Sequence, residues 1–229
     1  MRMAKTSKRI AVKTHTPVKT AKRAVGRPRQ KPEDSKKRAQ ILQMAGKMFV
    51  KQGFGNVSMD ALAAAVPVSK PTLYSHFKDK GALFRAVMED RCGGLFNALE
   101  NSIRDNGNLE ETLTSIAHRF LDLILSPEAL SMHRILAAES QKFPELGQLF
   151  YESGPKKVRA TVAGYLKSQN DAGRLKIENP EDAASLFLGM VKNTPHMQCL
   201  LGLRKSIPQS EKDELVRYAV SVFIKGNRR

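Results

Sequence analysis

Residues 62–84 of the 229-residue chain read LAAAVPVSKPTLYSHFKDKGALF, and this stretch decides the fold. It contains the signals of three successive helices. A short apolar segment ends at a turn over residues 66–68, after which Ser69 can cap a second short helix. Asp79 can then cap a longer helix. Two short helices joined by a tight turn and followed by a long helix are typical of a helix-turn-helix motif.

The second short helix has one apolar and one polar face. Leu73 and Phe77 stand four residues apart, and this spacing predicts the buried face. The outward positions supply a cation, hydroxyl groups, a phenol and an imidazole, which can bind phosphate oxygens or base edges. These outward residues are Lys70, Pro71, Thr72, Tyr74, Ser75 and His76. The pattern therefore predicts a helix that lies in the major groove of DNA.

Helical signals continue along the rest of the chain, while strand-like alternation never lasts more than a few residues. A first helix is predicted from about Lys36 to Gln52, and Ser58 can cap the helix that follows it. Capping residues or prolines mark further helix starts at Asn108, Ser126, Pro144, Pro155, Asn179 and Ser210. The sequence therefore predicts an all-α protein with nine or ten helices.

Positive charge is concentrated at the N-terminus. Residues 1–31 hold eleven basic and no acidic residues, so they contribute +11 to the formal net charge of +17. Because residues 1–33 offer few bulky aliphatic side chains, they are expected to form a disordered basic tail. The charge favours contact with a polyanion such as nucleic acid. A solvated tail that only aids solubility is the alternative.

Within this tail, residues 26–29 read Gly-Arg-Pro-Arg and resemble the core of an AT-hook. In such a core the two arginines, here Arg27 and Arg29, insert into a narrow minor groove of A·T-rich DNA. Val25 replaces the arginine that often precedes this core. A tail that binds phosphates without sequence preference is the alternative, and both readings predict salt-sensitive DNA binding.

Composition excludes several classes of protein. No window approaches the roughly 18 apolar residues of a membrane span, and the basic start lacks the apolar segment of a secretory signal. Only two cysteines occur, Cys92 and Cys199, and they are too far apart for a zinc-knuckle spacing. Disulfide scaffolds and zinc fingers are therefore excluded, and a reducing cytoplasm is expected. The five histidines show no metal-ligand or nucleophile–base spacing. We therefore expect no membrane association, no metal, no cofactor and no enzymatic activity.

The segment 36–84 resembles the DNA-binding domain of TetR/AcrR-type transcriptional regulators. The resemblance is carried by residues 62–84, above all the core Thr72-Leu73-Tyr74-x-x-Phe77-x-x-Lys80. It implies a helix-turn-helix domain over residues 34–84. One position departs from the family pattern, because Pro67 stands where the turn usually has glycine and cannot adopt glycine's left-handed conformation. The turn must therefore close in another way.

The resemblance also implies roles for individual residues. In similar proteins the residues that match Lys70, Pro71, Thr72 and Ser75 contact DNA bases. Those that match Tyr74, His76 and Lys80 contact the phosphate backbone. Ser58, at the start of the preceding helix, completes the expected DNA-contact set.

The C-terminal part, from about residue 105 to 226, resembles the AefR-like subgroup of these regulators. The matching stretches are residues 125–134 and 143–155. The resemblance implies a ligand-binding and dimerisation domain over residues 85–229, in which helices near 180–203 and 210–225 pair with a second copy. The alternative is that these apolar helices only build the core of one chain. Candidate ligand contacts, for each of which core packing is the alternative, are Phe120, Met132, His133, Phe150, Tyr151 and Tyr165.

Together these features predict a sequence-specific, ligand-responsive repressor that acts as a homodimer. Its two reading helices would bind a pseudo-palindrome with half-sites about one or one and a half turns apart, roughly 34–50 Å. Its partners would be double-stranded DNA, a second copy of the chain and a small-molecule effector. A nucleoid-associated protein that binds through its basic tail is the alternative, although such a protein needs no patterned reading helix.

Overall fold

Helices build the part of the chain that this computed structural model describes, which is residues 32–103 and 107–228. Ten helices occur within those two ranges. They are α1 (Pro32–Gln52), α2 (Met59–Ala65), α3 (Lys70–His76), α4 (Lys80–Ser102), α5 (Leu109–Ile124), α6 (Pro127–Glu139), α7 (Pro144–Ser153), α8 (Pro155–Asp171), α9 (Pro180–Leu200) and α10 (Gln209–Asn227). The prediction of an all-α fold with an N-terminal helix-turn-helix is confirmed. None of these helices is both long and apolar enough to cross a membrane.

Side-chain caps fix six of the helix starts where the sequence predicts them. In each case an oxygen of the capping side chain accepts a backbone N–H of the first turn, which contributes about 1 kcal/mol to stability. The capping residues are Ser58, Ser69, Asp79, Asn108, Ser126 and Asn179. Local sequence therefore determines where the two short helices of the motif begin.

The start of α1 differs from its prediction. The helix begins at Pro32 rather than Lys36, so residues 32 and 33, predicted as part of the disordered tail, are helical. Proline is favoured at a first helical position because it has no N–H to leave unpaired. Glu33 lies in the first turn and pairs with Lys37 at 3.0 Å. The rest of the predicted tail, residues 1–31, lies outside the described residues.

The prediction that Ser210 caps the last helix is wrong. Helix α10 begins at Gln209, and its N-cap position is Pro208, which makes no side-chain cap. An ion pair stabilises the first turn instead, since the Arg204 guanidinium donates to both carboxylate oxygens of Glu211 at 2.7 and 2.6 Å. This pairing raises the pKa of Arg204 and lowers that of Glu211 through the hydrogen bond between them.

Two large hydrophobic clusters and one small one, Leu130 with Cys199 and Ile207, form the core of the described residues. The first joins α1–α4 around Phe49, Phe54 and Phe84, whose ring centroids lie 5.3–5.6 Å apart. This cluster extends into α6 and α7 through buried side chains including Leu136 and Leu146. The second cluster joins the end of α4 to α5, α8, α9 and α10. The helices on either side of the helix-turn-helix, α1 and α4, therefore pack directly onto α6, and α4 also packs onto α7.

Helix α9 contains a kink that the sequence analysis did not predict. Asn193 has φ 33° and ψ −161°, outside the helical region, and Pro195 follows two residues later. Proline disrupts a preceding helix because it lacks an N–H and clashes with the previous turn. The Asn193 side chain accepts a hydrogen bond from the Thr194 N–H at 2.7 Å, which satisfies one of the backbone groups exposed by the kink.

Candidate functional site

The turn before α3 closes without glycine, as the presence of Pro67 requires. Val66 ends α2 in an extended conformation, with φ −108° and ψ 142°. The Val68 N–H then donates to the Val66 carbonyl at 2.7 Å, which closes a three-residue turn around Pro67. None of residues 66–69, all of which are described, has a positive φ. Proline's fixed φ is therefore compatible with the helix-turn-helix.

Helix α3 presents the polar surface that its sequence predicts. Leu73 is fully buried and Phe77 is nearly so, and these two side chains hold the helix against the first cluster. The other side chains are exposed or half-buried. The exposed ones are Lys70, Pro71, Tyr74 and Ser75, and the half-buried ones are Thr72 and His76. Ser58 is also exposed, while its hydroxyl oxygen accepts the Ala61 N–H at 3.0 Å.

Hydrogen bonds within α3 hold its polar side chains in fixed positions. The hydroxyl groups of Ser69 and Thr72 lie 2.8 Å apart, and the Ser75 hydroxyl donates to the Thr72 carbonyl at 2.8 Å. Side chains that are positioned before binding lose less conformational entropy when they contact a partner. The helix therefore offers a preorganised surface.

Lys70 is held by an acidic residue of the neighbouring helix. Its ammonium group lies 2.6 Å from a carboxylate oxygen of Asp60 in the first turn of α2. The hydrogen bond to Asp60, together with its charge, raises the pKa of Lys70. An ammonium has three donors, so this pair leaves capacity for a phosphate or a base edge.

Lys80 lies apart from the α3 surface. Its ammonium donates to the carbonyl oxygens of Phe54 and Gly55, at 2.8 and 3.3 Å, and stands 4.4 Å from the centre of the Phe54 ring. Burial lowers the pKa of Lys80, and the charges of Glu139 and Glu145 oppose that shift. In this structure Lys80 joins the start of α4 to the α1–α2 turn, rather than lying with the predicted phosphate contacts.

The end of α6 completes this junction. The Glu139 carboxylate accepts the Gly55 N–H at 3.3 Å, and the Phe143 ring packs edge-on against Phe54 at 5.3 Å. We call this set of contacts the α1–α2 clasp; it consists of Phe54, Gly55, Lys80, Glu139 and Phe143. The clasp connects the helix-turn-helix to the corner between α6 and α7.

A cavity of about 590 Å³ lies between α4, α5, α6, α7, α8 and α9. Its volume is in the range of small-molecule sites. Five of the six predicted ligand contacts line it, namely Phe120, Met132, His133, Phe150 and Tyr151. Tyr165 is not among the lining residues; this side chain is buried in the second cluster, apart from the other five. Periodicity shows that a helical residue is buried but not whether it faces packed neighbours or a space between helices.

Comparison with known proteins decides the family. Residues 41–87 match the sequence profile described as bacterial regulatory proteins, tetR family. Residues 111–226, just over half of the chain, match the AefR-like transcriptional repressor C-terminal domain. The chain belongs to the TetR family. It is therefore a DNA-binding transcriptional regulator of this family and not an enzyme.

Individual relatives agree with this membership. The solved structure of the Flavonoid-responsive Regulator FrrA is 31% identical, covers 85% of this chain and 98% of its own, and superposes with a TM-score of 0.76. An uncharacterized HTH-type regulator, YhgD of Bacillus subtilis, is 23% identical over 81% of this chain and 94% of its own. The activator FasR of Mycolicibacterium smegmatis is 32% identical, but only over 41% of this chain and 42% of its own length.

The cavity of this TetR-family chain has polar members that sequence reasoning missed. They are Glu89 and Asn97 on α4, Ser153 at the end of α7, Lys157 and Arg159 on α8, and Ser185 and Lys192 on α9. Cys92 also lines the cavity, and burial raises the pKa of its thiol. Charged residues at these positions match the pattern of an exposed helix face, so the sequence carries no signal that sets them apart.

Two neighbouring histidines lie at and behind the cavity wall. His133 lines the cavity, and its Nδ1 lies 2.9 Å from the Ala129 carbonyl, which makes Nδ1 the protonated nitrogen of the neutral ring. The His196 ring is 5.3 Å from that of His133 and almost fully buried. Burial, assisted by the charge of Lys192, lowers the pKa of His196 to about 4 and also lowers that of His133. Both rings are therefore neutral at pH 7.

Among the described residues no group of three His, Cys, Asp or Glu side chains is placed to hold a metal ion. The predicted minor-groove arginines, Arg27 and Arg29, lie outside the described residues.

Proposed function

We propose that the chain is an effector-responsive repressor that binds a pseudo-palindromic operator as a homodimer. The observation that carries this proposal is the placement of α6 and α7. Both helices line the cavity, through Met132 and Phe150 among others, and the corner between them forms the α1–α2 clasp. A molecule that enters the cavity therefore contacts the helices that hold the helix-turn-helix domain, residues 34–84, which we call the reading head.

Coupling between the two sites needs only a modest energy difference. An effector that binds one arrangement of α6 and α7 more tightly shifts the chain towards that arrangement, and the reading head follows through the clasp. A coupling of about 1–3 kcal/mol changes DNA affinity about 5- to 150-fold. In this account the effector lowers operator affinity because the two heads no longer match the half-site spacing.

The proposed DNA contacts centre on α3. Lys70, Pro71, Thr72 and Ser75 are assigned to base edges, and Tyr74 and His76 to phosphates. Ser58 at the start of α2 is assigned to the same interface. The carbonyls of Phe54 and Gly55 take two of the three donors of the Lys80 ammonium, so we assign this residue primarily to the clasp.

The basic tail is proposed to add a second contact with DNA. Arg27 and Arg29 would enter the minor groove beside the operator, and the other basic residues would bind phosphates. This contribution is expected to raise affinity at low salt more than at high salt.

Dimerisation is proposed to use the exposed faces of α9 and α10. Most of the apolar residues early in α9 pack into the second cluster, but Leu186 is 69% exposed and Tyr218 on α10 is 71% exposed. Val222, Met197 and Leu201 are further large apolar side chains exposed on or beside these helices. An apolar surface of this kind marks an interaction site.

The sign of regulation and the nature of the effector rest on similarity. The matching C-terminal family is described as a repressor, whereas FasR is named as an activator over a shorter match. FrrA is named as flavonoid-responsive, so a flavonoid is the first class of effector to try. As a regulator that binds DNA, the chain is proposed to act in the cytoplasm.

The proposed function is tested with purified full-length protein. Light scattering coupled to size exclusion should give twice the mass of one chain, and Leu186→Glu should give monomers, whereas Val50→Glu, on an exposed site of α1, should not. Fluorescence anisotropy should show tight binding to the DNA upstream of the protein's own gene. An effector should weaken that binding at least fivefold. A monomeric native protein, or DNA binding that no cavity ligand changes, would contradict the proposal.

A further inference from the structure

The junction between α7 and α8 brings polar groups to a largely apolar cavity. Ser153, Gly154, Pro155 and Lys157 all line the cavity within five residues of sequence. The rest of the lining is dominated by apolar side chains, among them Phe96, Phe120 and Phe150. The cavity therefore offers one polar binding region beside an extensive apolar wall.

Ser153 carries an unsatisfied hydroxyl at this junction. Its Oγ is buried and has no hydrogen-bond partner in the described part of the chain. A polar atom that is buried without a hydrogen-bond partner is unfavourable for the folded chain. An oxygen of a bound molecule would remove that cost, so the hydroxyl points to a polar ligand group next to it.

The start of α8 favours a negative charge at the same place. Its N-cap is Gly154, which provides no side-chain cap for the first N–H groups, and Pro155 is the first helical residue. An uncapped helix N-terminus carries a partial positive charge and binds anions. Lys157 lies in this first turn and adds a full positive charge.

The other charges around the cavity leave an excess of cations. Arg159 is paired with Glu181 at 3.1 Å, and Glu89 lies on the α4 wall. Lys157 and Lys192 have no carboxylate within ion-pair distance among the described residues. The α8 and α9 walls therefore favour a ligand with negative charge over a neutral or cationic one.

We propose that the cavity binds an acidic amphiphile, meaning a mainly apolar molecule that bears a carboxylate or phenolate group. The acidic group is bound at the α7–α8 junction by the Ser153 hydroxyl, the N-terminus of α8 and Lys157. The apolar body packs between Phe96, Phe120 and Phe150. This assignment rests on the proposed function in taking the cavity as the effector site.

Calorimetric titration of the full-length protein at pH 7.5 with three probes of equal chain length tests the assignment. The probes are decanoate, 1-decanol and decylamine, which share a ten-carbon chain and carry an anionic, a neutral and a cationic head group at this pH. We expect decanoate to bind at least tenfold more tightly than decanol, and decylamine to bind most weakly. Equal affinities for decanoate and decanol, or no binding of decanoate, would overturn the assignment.

Two variants test where the acidic group of the ligand binds. Lys157→Gln and Ser153→Ala should each weaken decanoate binding about three- to tenfold and leave decanol binding unchanged. Lys156→Gln is the matched control, because Lys156 pairs with Glu152 and does not line the cavity. If Lys157→Gln and Lys156→Gln behave alike, the α7–α8 junction is not the acid site.

DNA release is measured separately, so the two proposals can fail independently. If decanoate binds as predicted but no cavity ligand releases DNA, the regulatory proposal fails and the ligand assignment stands. If decanol releases DNA and decanoate does not bind, the ligand assignment fails and the regulatory proposal stands.

Discussion

The ammonium group of Lys80 donates a 2.8 Å hydrogen bond to the carbonyl of Phe54 and lies 4.4 Å from the centre of that ring. The same ring contacts Phe143, next to the start of α7. One lysine at the start of α4 thus joins the α1–α2 turn to the corner that follows α6. The resemblance alone implied a phosphate contact for this lysine.

Replacing Lys80 distinguishes these two roles. Lys80→Gln should lower the free energy of unfolding by about 1–3 kcal/mol, because a hydrogen-bonded charged donor is lost from two carbonyls. Urea unfolding measures this change, with Lys78→Gln on the exposed surface as the control. A variant of unchanged stability that binds DNA with a shallower salt dependence would show that Lys80 is mainly a phosphate contact.

Gly53 should be required at the α1–α2 turn. Its φ is +78°, and an added Cβ would stand 2.6 Å from Oε1 of Glu139. Gly53→Ala should therefore destabilise the protein by about 1–2 kcal/mol or more. Gly94→Ala, in α4, should instead stabilise it by up to about 1 kcal/mol, because a Cβ there meets no atom within 4 Å and glycine is a poor helix former. Thermal or urea unfolding of the two variants should show opposite signs, and a Gly53→Ala protein as stable as the native one would contradict this account.

The pair between Lys70 and Asp60 should limit DNA affinity. Lys70→Gln should weaken operator binding and relax the base preference at the position that Lys70 contacts, and it should reduce the slope of log affinity against log salt by less than the value of about one that a phosphate contact gives. Asp60→Asn should have the opposite effect, since it leaves the ammonium without its 2.6 Å carboxylate partner. Anisotropy titrations across a salt series measure both, and a Lys70→Gln protein with native affinity and slope would remove Lys70 from the interface.

Stability should fall in mild acid because of buried His196 and half-buried His133. The pKa of His196 is about 4 in the folded chain and about 6.5 when unfolded, so the unfolded state takes up a proton first as pH falls. The contribution of neutral His196 is fully present above pH 6.5 and is lost progressively as pH falls to 4, by at most about 1.4 kcal/mol per pH unit. The lowered pKa of His133 acts in the same direction.

Variants test this pH dependence. Unfolding free energies measured from pH 7.5 to 4.5 should fall less steeply for His196→Asn than for the native protein, whatever the variant's starting stability. His118→Asn is the control, because His118 is more exposed and lies beside Asp213. Identical slopes for the native protein and His196→Asn would contradict the assignment.

Sequence reasoning succeeded where local interactions determine the structure. Ser58, Ser69 and Asp79 cap their helices by bonding to N–H groups only three residues away, and the spacing of Leu73 and Phe77 sets the buried face of α3. These features depend on a few neighbouring residues, so the pattern is sufficient to predict them.

Sequence reasoning failed to predict contacts between segments that are far apart along the chain. The bonds from Lys80 span 25 and 26 residues, and the bond from Gly55 to Glu139 spans 84. Tyr165 and Phe120 are both buried aromatic residues of amphipathic helices, but only Phe120 faces the cavity. Whether a buried residue lines the cavity depends on how its helix packs against neighbouring helices. The local sequence pattern does not contain that information.

In vitro selection from a random DNA library with the full-length protein measures whether α3 reads a symmetric operator. We expect enrichment of an inverted repeat whose half-sites lie about one or one and a half helical turns apart. Arg27→Ala/Arg29→Ala protein should select the same repeat, and Thr72→Ala/Tyr74→Ala protein should lose it. Enrichment of A·T-rich tracts without symmetry, dependent on the tail arginines and not on α3, would contradict this expectation.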